Sequence, residues 1–402
     1  MIAQGKFNGI AFAPLKKIVV HLDKSCKEKN MTVPKFSDLN PPSRILLGPG
    51  PGMTHPRVMR ALTAPTLGHL DPELLKIYAE EQELLRYLFQ TKNEWTFALS
   101  GTGTSGMEAA LTNLIEPGDD VLCCIHGYFG ARLGEIAERQ GAHVDRIEKP
   151  LGQIFSVEEI ESALKKKKYK LMTIIHAETS TGAEQLHIKE ISAAAHKNGA
   201  LIVLDTVTSL GGIPVKIDEW DVDMAYSGSQ KNLGAPSGLA PITVGPRAKE
   251  VIENRKSQIH SFYLDLKQYA NYWGGAHGYH HTASASLHFG LREGLRVIAE
   301  EAQENAFARY RANAEILWHG LEAMDVPPFI PLEYRLPSLT TAKVPKGCDP
   351  HKVRAQLLNE YNIEIAAGFG ALKDEVWRIG LMGYSSRREN ITLFLAALKE
   401  LI

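Results

Sequence analysis

Between about residue 95 and residue 245 the chain alternates short apolar runs with helical segments, and this alternation constrains the fold more than any other feature. Residues 95–99 read as a strand, followed by a Gly-rich loop and a helix over 107–115 that Pro117-Gly118 stops. Residues 121–125 read as the next strand, with a helix over 131–139 and a strand over 143–147 after it. Ser156-Val157-Glu158-Glu159 has the form of an N-cap with a capping-box Glu, opening a helix that runs to Lys168. The lysines 165–168 then end that helix, where cations suit the dipole. Residues 171–175 and 201–204 are continuous apolar runs, as expected of strands buried on both faces. Strands alternating with helices in this way predict a mostly parallel α/β sheet covered on both sides.

Beyond residue 300 the texture changes. A helical stretch over 301–324 precedes an apolar run over 339–344, a helix over 352–361, and apolar pieces around Ile363 and Ile379. The expected division is an N-terminal arm over 1–43, a large domain over 44–304 and a smaller α+β domain over 305–402. At 402 residues the chain has room for such cores. Its 45 Lys and Arg against 46 Asp and Glu leave a net charge of −1, so no global field draws nucleic acid or an acidic membrane. No uninterrupted apolar stretch approaches the ~18 residues of a membrane helix. Cys26, Cys123, Cys124 and Cys348 show no metal-ligand spacing, and they point to a reducing compartment with no disulfide framework. Residues 1–40 are too weakly apolar for a secretory signal. They lack arginine and carry Asp23 and Glu28, against a transit peptide, so they read as a flexible arm and the cytoplasm is the expected location.

Two residues point to chemistry. Lys231 ends the segment Tyr226-Ser227-Gly228-Ser229-Gln230-Lys231, and Asp205 ends the apolar run 201–204. Pyridoxal 5'-phosphate needs both types, an amine for a Schiff base and an acid at its pyridine nitrogen. Gly101-Thr102-Gly103-Thr104-Ser105-Gly106 matches G-x-G-x-x-G between a strand and a helix, which is also the context of a dinucleotide fingerprint. Against that reading, the next strand ends in His126-Gly127, where an acidic residue for the ribose is expected. Backbone N–H groups at a helix N-terminus hold a lone phosphate equally well, and Thr102, Thr104 and Ser105 add hydroxyls. An NAD-dependent oxidoreductase stays open as the rival. Arg378, between Trp377 and Ile379, turns one guanidinium to one face of a strand, with the planar fork that suits a carboxylate. His277, His280, His281 and His288 come without carboxylate or thiol at ligand spacing, so no metal is expected. His126 and His176 end strand-like runs and are assigned no role.

Taken together, these segments resemble the class V, fold-type I aminotransferases, and within them the alanine–glyoxylate and serine–glyoxylate group. The resemblance is carried by Leu46-Leu47-Gly48-Pro49-Gly50-Pro51, residues 101–110 with Leu114-Ile115-Glu116-Pro117-Gly118-Asp119, His176-Ala177-Glu178-Thr179-Ser180-Thr181-Gly182, Asp205-Thr206-Val207-Thr208-Ser209-Leu210-Gly211-Gly212, residues 226–231, Tyr279-His280-His281-Thr282 and Trp377-Arg378-Ile379-Gly380-Leu381-Met382-Gly383. They occur in the family's order from about residue 44 onward. The resemblance implies a seven-stranded, mostly parallel sheet and pyridoxal phosphate bound through Lys231. Asp205 would face the ring nitrogen, with Val207 on one ring face and Phe129 on the other. Thr102, Gly103, Thr104 and Gln230 would hold the phosphate, Thr104 standing where some relatives have histidine. Ser180 would touch the phenolic oxygen or the substrate carboxylate, and Arg378 would clamp that carboxylate near the backbone of Gly50. Tyr279 and Thr282 would serve the phosphate of a second copy, giving a homodimer with a shared site. The implied reaction is transamination between alanine or serine and glyoxylate or pyruvate. Alternatives are a 2-aminoethylphosphonate transaminase or a lyase of the same class.

Overall fold

Seven strands build the central sheet: β1 (Trp95–Ser100), β2 (Asp120–Ile125), β3 (His143–Glu148), β4 (Leu171–Ile175), β5 (Leu201–Asp205), β6 (Met224–Tyr226) and β7 (Leu239–Val244). Their order across the sheet is β3-β2-β4-β5-β6-β7-β1, all parallel except β7, which runs antiparallel to both β6 and β1. The computed structural model describes residues 33–274 and 277–402. The arm expected over 1–43 therefore lies outside the described residues up to residue 32. Residues 33–42 carry no helix or strand, and Ser43–Ile402 forms one compact unit.

The sheet is buried because its strands are apolar without interruption. Every residue of β4, β5 and β7 is buried, as a parallel sheet covered on both faces requires. Helices Pro72–Phe89, Gly103–Leu114 and Ala285–Glu301 pack their apolar residues into this core. A second core gathers Leu47 with residues from Ala314 to Leu398, around a three-stranded antiparallel sheet ordered β8-β10-β9. Its strands are β8 (Leu339–Lys343), β9 (Ala366–Ala367) and β10 (Val376–Gly380). Helix Gln303–Glu322 belongs to both regions, with Ala306 in the first core and Ala314, Leu317, Trp318 and Leu321 in the second. Ile45 pairs in parallel with Ile363, so the segment before the first helix lies against the C-terminal part of the chain.

Several sequence-read boundaries shift. The helix expected to reach Lys168 ends at Leu164, although its capping box at Ser156 and Glu159 is present. Lysine favours helix, but tertiary bonds win here. Lys167 Nζ reaches Asp120 at 2.7 Å and Asp145 at 3.2 Å, and the Tyr169 hydroxyl donates to Asp145 at 2.6 Å, which turns the chain toward β4. The helix read from Met107 starts at Gly103, and that read from Ala131 starts at Tyr128. The stretch 301–324 is interrupted at Ala302 (φ 66°), where helix Ala285–Glu301 hands over to Gln303–Glu322. β1 pairs only with antiparallel β7, not with the next strand in the chain, so the glycine loop does not open the parallel βαβ unit of a dinucleotide fold. Among the described residues no helix is long and apolar enough to cross a membrane, and no group of three or more His, Cys, Asp or Glu could hold a metal ion.

Candidate active site

The C-terminal ends of β1, β2, β4, β5 and β6 converge on one edge of the sheet, the place where open α/β folds gather their ligands. Asp205 closes β5. Its Oδ1 accepts the Val207 N–H at 2.8 Å and its Oδ2 accepts the Tyr226 hydroxyl at 2.7 Å. Burial pushes this carboxyl up to about 7, against the opposing pull of the two hydrogen bonds.

Lys231 is delivered by the turn that follows β6. The Ser229 N–H donates to Leu239 O at 3.0 Å, the Ala235 N–H to Ser229 O at 3.1 Å, and Asn232 Nδ2 to Thr208 O at 2.8 Å. The lysine side chain is 8% exposed, and its Nζ donates to the Pro49 carbonyl. Burial, and next the positive charge of Arg378, bring its pKa down from 10.5 to about 8. Gly50 makes room for it. Its φ is +93°, and a Cβ there would stand 2.5 Å from Lys231 Cδ.

Arg378 lies in the middle of β10, 6% exposed. Its Nε donates to Ala367 O at 2.8 Å and its Nη1 to Thr179 O at 3.1 Å, while the guanidinium stacks 4.6 Å from the Phe369 ring. These bonds leave Nη2 uncommitted. Burial lowers its pKa to about 10, opposed chiefly by the Glu178 carboxylate, so it stays cationic at neutral pH.

A cavity of about 110 Å³ joins the sheet edge to the glycine loop, lined by Thr102, Gly103, Thr104, Phe129, Asp205, Val207, Gln230 and Lys231, with Met107, Ile175 and Thr179. Thr102 is the N-cap of helix Gly103–Leu114, and its side chain makes no capping bond. The Ser105 N–H turns back to Thr102 O at 2.8 Å, so the N–H groups of Gly103 and Thr104 are the ones left to meet an anion. Gln230 Oε1 is buried without a partner among the described residues. A larger cavity, about 220 Å³, lies beyond the lysine turn between His55, Asn232, Arg309 and Tyr384, and its Arg309 is already paired with Glu301.

Eight of the sequence-read site residues thus share one cavity. Gly50 and Arg378 stand beside it, through Lys231 and Thr179 respectively. Ser180 is set back from it. Its hydroxyl donates to Glu178 Oε1 at 2.6 Å and accepts the Tyr128 N–H at 3.0 Å. Tyr279 and Thr282 are exposed, 3.5 Å apart at their hydroxyls, and line no part of this cavity. His126 and His176 are fully buried behind the edge and line none of it either, and burial lowers the pKa of both, that of His176 to about 3.

Sequence reading passed over Glu178, which is wholly buried and central. Besides Ser180 it takes the N–H groups of Phe129 at 3.5 Å and Gly130 at 3.4 Å, and so anchors the start of helix Tyr128–Arg139. Its only signal is a carboxylate three residues past an apolar strand, where helix N-termini gather. Thr179, Met107 and Ile175 gave none.

Likeness to known proteins extends along most of the chain. The family model for class-V aminotransferases matches residues 57–393. The (S)-ureidoglycine–glyoxylate transaminase of Bacillus subtilis is 41% identical over 384 residues, covering 91% of this chain and 92% of that protein. The alanine–glyoxylate aminotransferase of Drosophila melanogaster is 41% identical over 366 residues, covering 90% and 93%. The crystal structure of alanine–glyoxylate aminotransferase from Nostoc sp. superposes with a TM-score of 0.90 at 46% identity, over 91% of this chain and 97% of that one. With the lysine, the buried aspartate and a helix N-terminus on one sheet edge, and with likeness along nine-tenths of its length, the chain belongs to the class-V aminotransferases.

Proposed function

We propose that the protein is a pyridoxal-phosphate-dependent transaminase that moves the amino group of a small amino acid, alanine or serine, to glyoxylate, with pyruvate as a further acceptor. The observation carrying this reading is the single cavity in which Lys231 and Asp205 meet a helix N-terminus with free N–H groups. The site fits the cofactor on its own terms. Thr102, Gly103, Thr104 and Gln230 suit the phosphate, Phe129 and Val207 the two ring faces, and Asp205 the ring nitrogen. Bound there, pyridoxal phosphate supplies an aldehyde for amines and an electron sink for the carbon next to the amino group.

The chain's residues do the rest. Lys231, with its pKa near 8, spends an appreciable fraction of time as the neutral amine that attacks a carbonyl. Once free, the same Nζ would act as the base that takes the proton from the donor's α-carbon, and in the second half of the exchange as the acid that supplies a proton to the acceptor's α-carbon. Asp205, held by Val207 and Tyr226, presents a fixed carboxyl to a cationic ring nitrogen. Arg378 binds the substrate carboxylate and orients the α-hydrogen. Arg378 is the one arginine whose guanidinium bonds Thr179 of the cavity wall among the described residues, and a single such clamp favours monocarboxylic donors with short side chains.

The homodimer belongs to this reading. Tyr279, 63% exposed on its own subunit, and Thr282 serve the phosphate of the second copy. The cytoplasm is the compartment proposed, on the sequence expectation. Residues 44–304 and 305–402 are taken as cofactor and substrate-clamping domains. The test is a screen of purified enzyme with alanine, serine and (S)-ureidoglycine as donors against glyoxylate and pyruvate, following glycine and alanine. Glycine formed from alanine or serine is the expected result. No transamination with either donor would refute the reading, as would borohydride-reduced protein lacking a pyridoxyl group on Lys231.

A further inference from the structure

The anion cradle as described holds no cation. Thr102, Gly103, Thr104 and Gln230 are neutral, Lys231 Nζ is turned to the Pro49 carbonyl, and the residues proposed to arrive from a second copy bring only hydroxyls. A phosphate monoester carries roughly −1.5 to −2 charges at neutral pH, and a helix N-terminus answers with only about half a positive charge.

One guanidinium stands at the rim. Arg132 lies one turn beyond Phe129 on helix Tyr128–Arg139, and its Nη1 donates to Thr104 Oγ1 at 3.4 Å. Its Cζ sits 4.9 Å from the Phe129 ring centre and 5.1 Å from that of Tyr128. The bond to Thr104 is at the long limit for a hydrogen bond, so it commits the guanidinium weakly. Glu135, the carboxylate a turn further on, is taken by Arg139 at 2.5 Å, and among the described residues Arg132 enters no ion pair.

We infer that Arg132 is the cationic ligand of the cofactor's phosphate, reaching the cradle beside Thr104. This rests on the pyridoxal phosphate reading above. Two features make the placement productive. The aromatic faces of Tyr128 and Phe129 hold the planar group without consuming its donors. Arginine also presents a fork matched to phosphate oxygens. Thr104 then serves as an uncharged neighbour, with the charge supplied from the adjacent helix.

The competing role for Arg132 is purely structural, as a stack that orients Phe129. The two roles part company when the phosphate is removed from the ligand. Apoprotein of the full chain, and of its Arg132→Gln and Arg132→Lys variants, is titrated with pyridoxal phosphate and with pyridoxal, reading equilibrium binding from the absorbance of the bound chromophore. Arg132→Gln should weaken pyridoxal phosphate about ten- to a hundredfold, the range of a charge-assisted contact, and leave pyridoxal within about twofold. Arg132→Lys should fall between, and the salt dependence of pyridoxal phosphate binding should flatten in Arg132→Gln. Equal weakening of both ligands would assign Arg132 to the stack and overturn the inference, and so would unchanged affinity for pyridoxal phosphate. If the wild-type protein itself took up no pyridoxal phosphate, the reading beneath would fall first, and that outcome is separately visible. A thermal melt of each apoprotein verifies that the variants fold.

Discussion

Replacing Asp205 by Asn should make the cofactor-free protein more stable at alkaline pH while disabling it as an enzyme. The carboxyl is wholly enclosed, and burial carries it from 3.8 to about 7. A group whose folded pKa is raised adds stability that is complete below its unfolded value and is lost as pH climbs through the folded one. The wild-type apoprotein therefore bears the cost of a buried charge above about pH 7, and a displacement of roughly three pKa units corresponds to ~4 kcal/mol. Asparagine keeps both local contacts, since its carbonyl can take the Val207 N–H and its amide can donate to the Tyr226 oxygen. Allowing for relaxation, the gain at pH 8 should be about 2–4 kcal/mol, or a rise of about 2–5 °C in melting temperature for a chain this long. The assay is a thermal melt of both apoproteins at fixed concentration, at pH 4.5 and pH 8. The gap should open only at the higher pH, while turnover with cofactor falls by several orders of magnitude. A variant no more stable than wild type at pH 8, or equally advantaged at both pH values, would refute the burial argument. A rate loss under tenfold would refute the role.

Other outcomes follow from the same geometry. Capture of pyridoxal phosphate by the apoprotein should accelerate with pH and level off just above 8, because the lysine is depressed to about 8 from 10.5. An inflection near 10 in stopped-flow traces would contradict this. The same depression means the unfolded chain holds more protons between those values, so Lys231 adds stability as pH rises from 8 toward 10.5. Lys231→Ala should show no turnover and no borohydride-fixed adduct. Arg378→Lys keeps the charge but loses the fork, so KM for donor and glyoxylate should rise about ten- to a hundredfold; unchanged KM values would remove it as the clamp. Gly50→Ala forces a Cβ to within 2.5 Å of Lys231 Cδ at a φ of +93°, and activity should drop more than about tenfold with the circular dichroism spectrum intact. Full activity in that variant would mean the lysine does not need the space.

What the sequence made legible was local. The apolar run ending in Asp205 and the glycine loop opening a helix each announce a strand end on a sheet edge, and the spacing to Lys231 spans one turn-and-strand unit. Helix starts were read late at Gly103 and Tyr128, because glycine and aromatic residues are weak helix formers and hide the first turn. The end at Leu164 was read too far, because four lysines carry helix propensity that ion pairs to Asp120 and Asp145 override. Glu178 could not be assigned from its neighbours, since the N–H groups of Phe129 and Gly130 that it receives come from a different strand-helix unit. Strand order was equally out of reach: nothing near β1 says that its partner is β7, the last strand of the sheet in the chain.

The segment around Pro49 gives the enzyme a late assembly step. The Met53 N–H donates to Ser385 Oγ across 332 residues of chain, Ser385 Oγ donates to Leu46 O across 339, and the same stretch of backbone receives the Lys231 amine. Contacts of such separation form only after almost the whole polypeptide has left the ribosome. A prematurely terminated product would hold the sheet and the glycine loop but lack both Arg378 and the Ser385 that ties down the Pro49 segment, and should be catalytically silent.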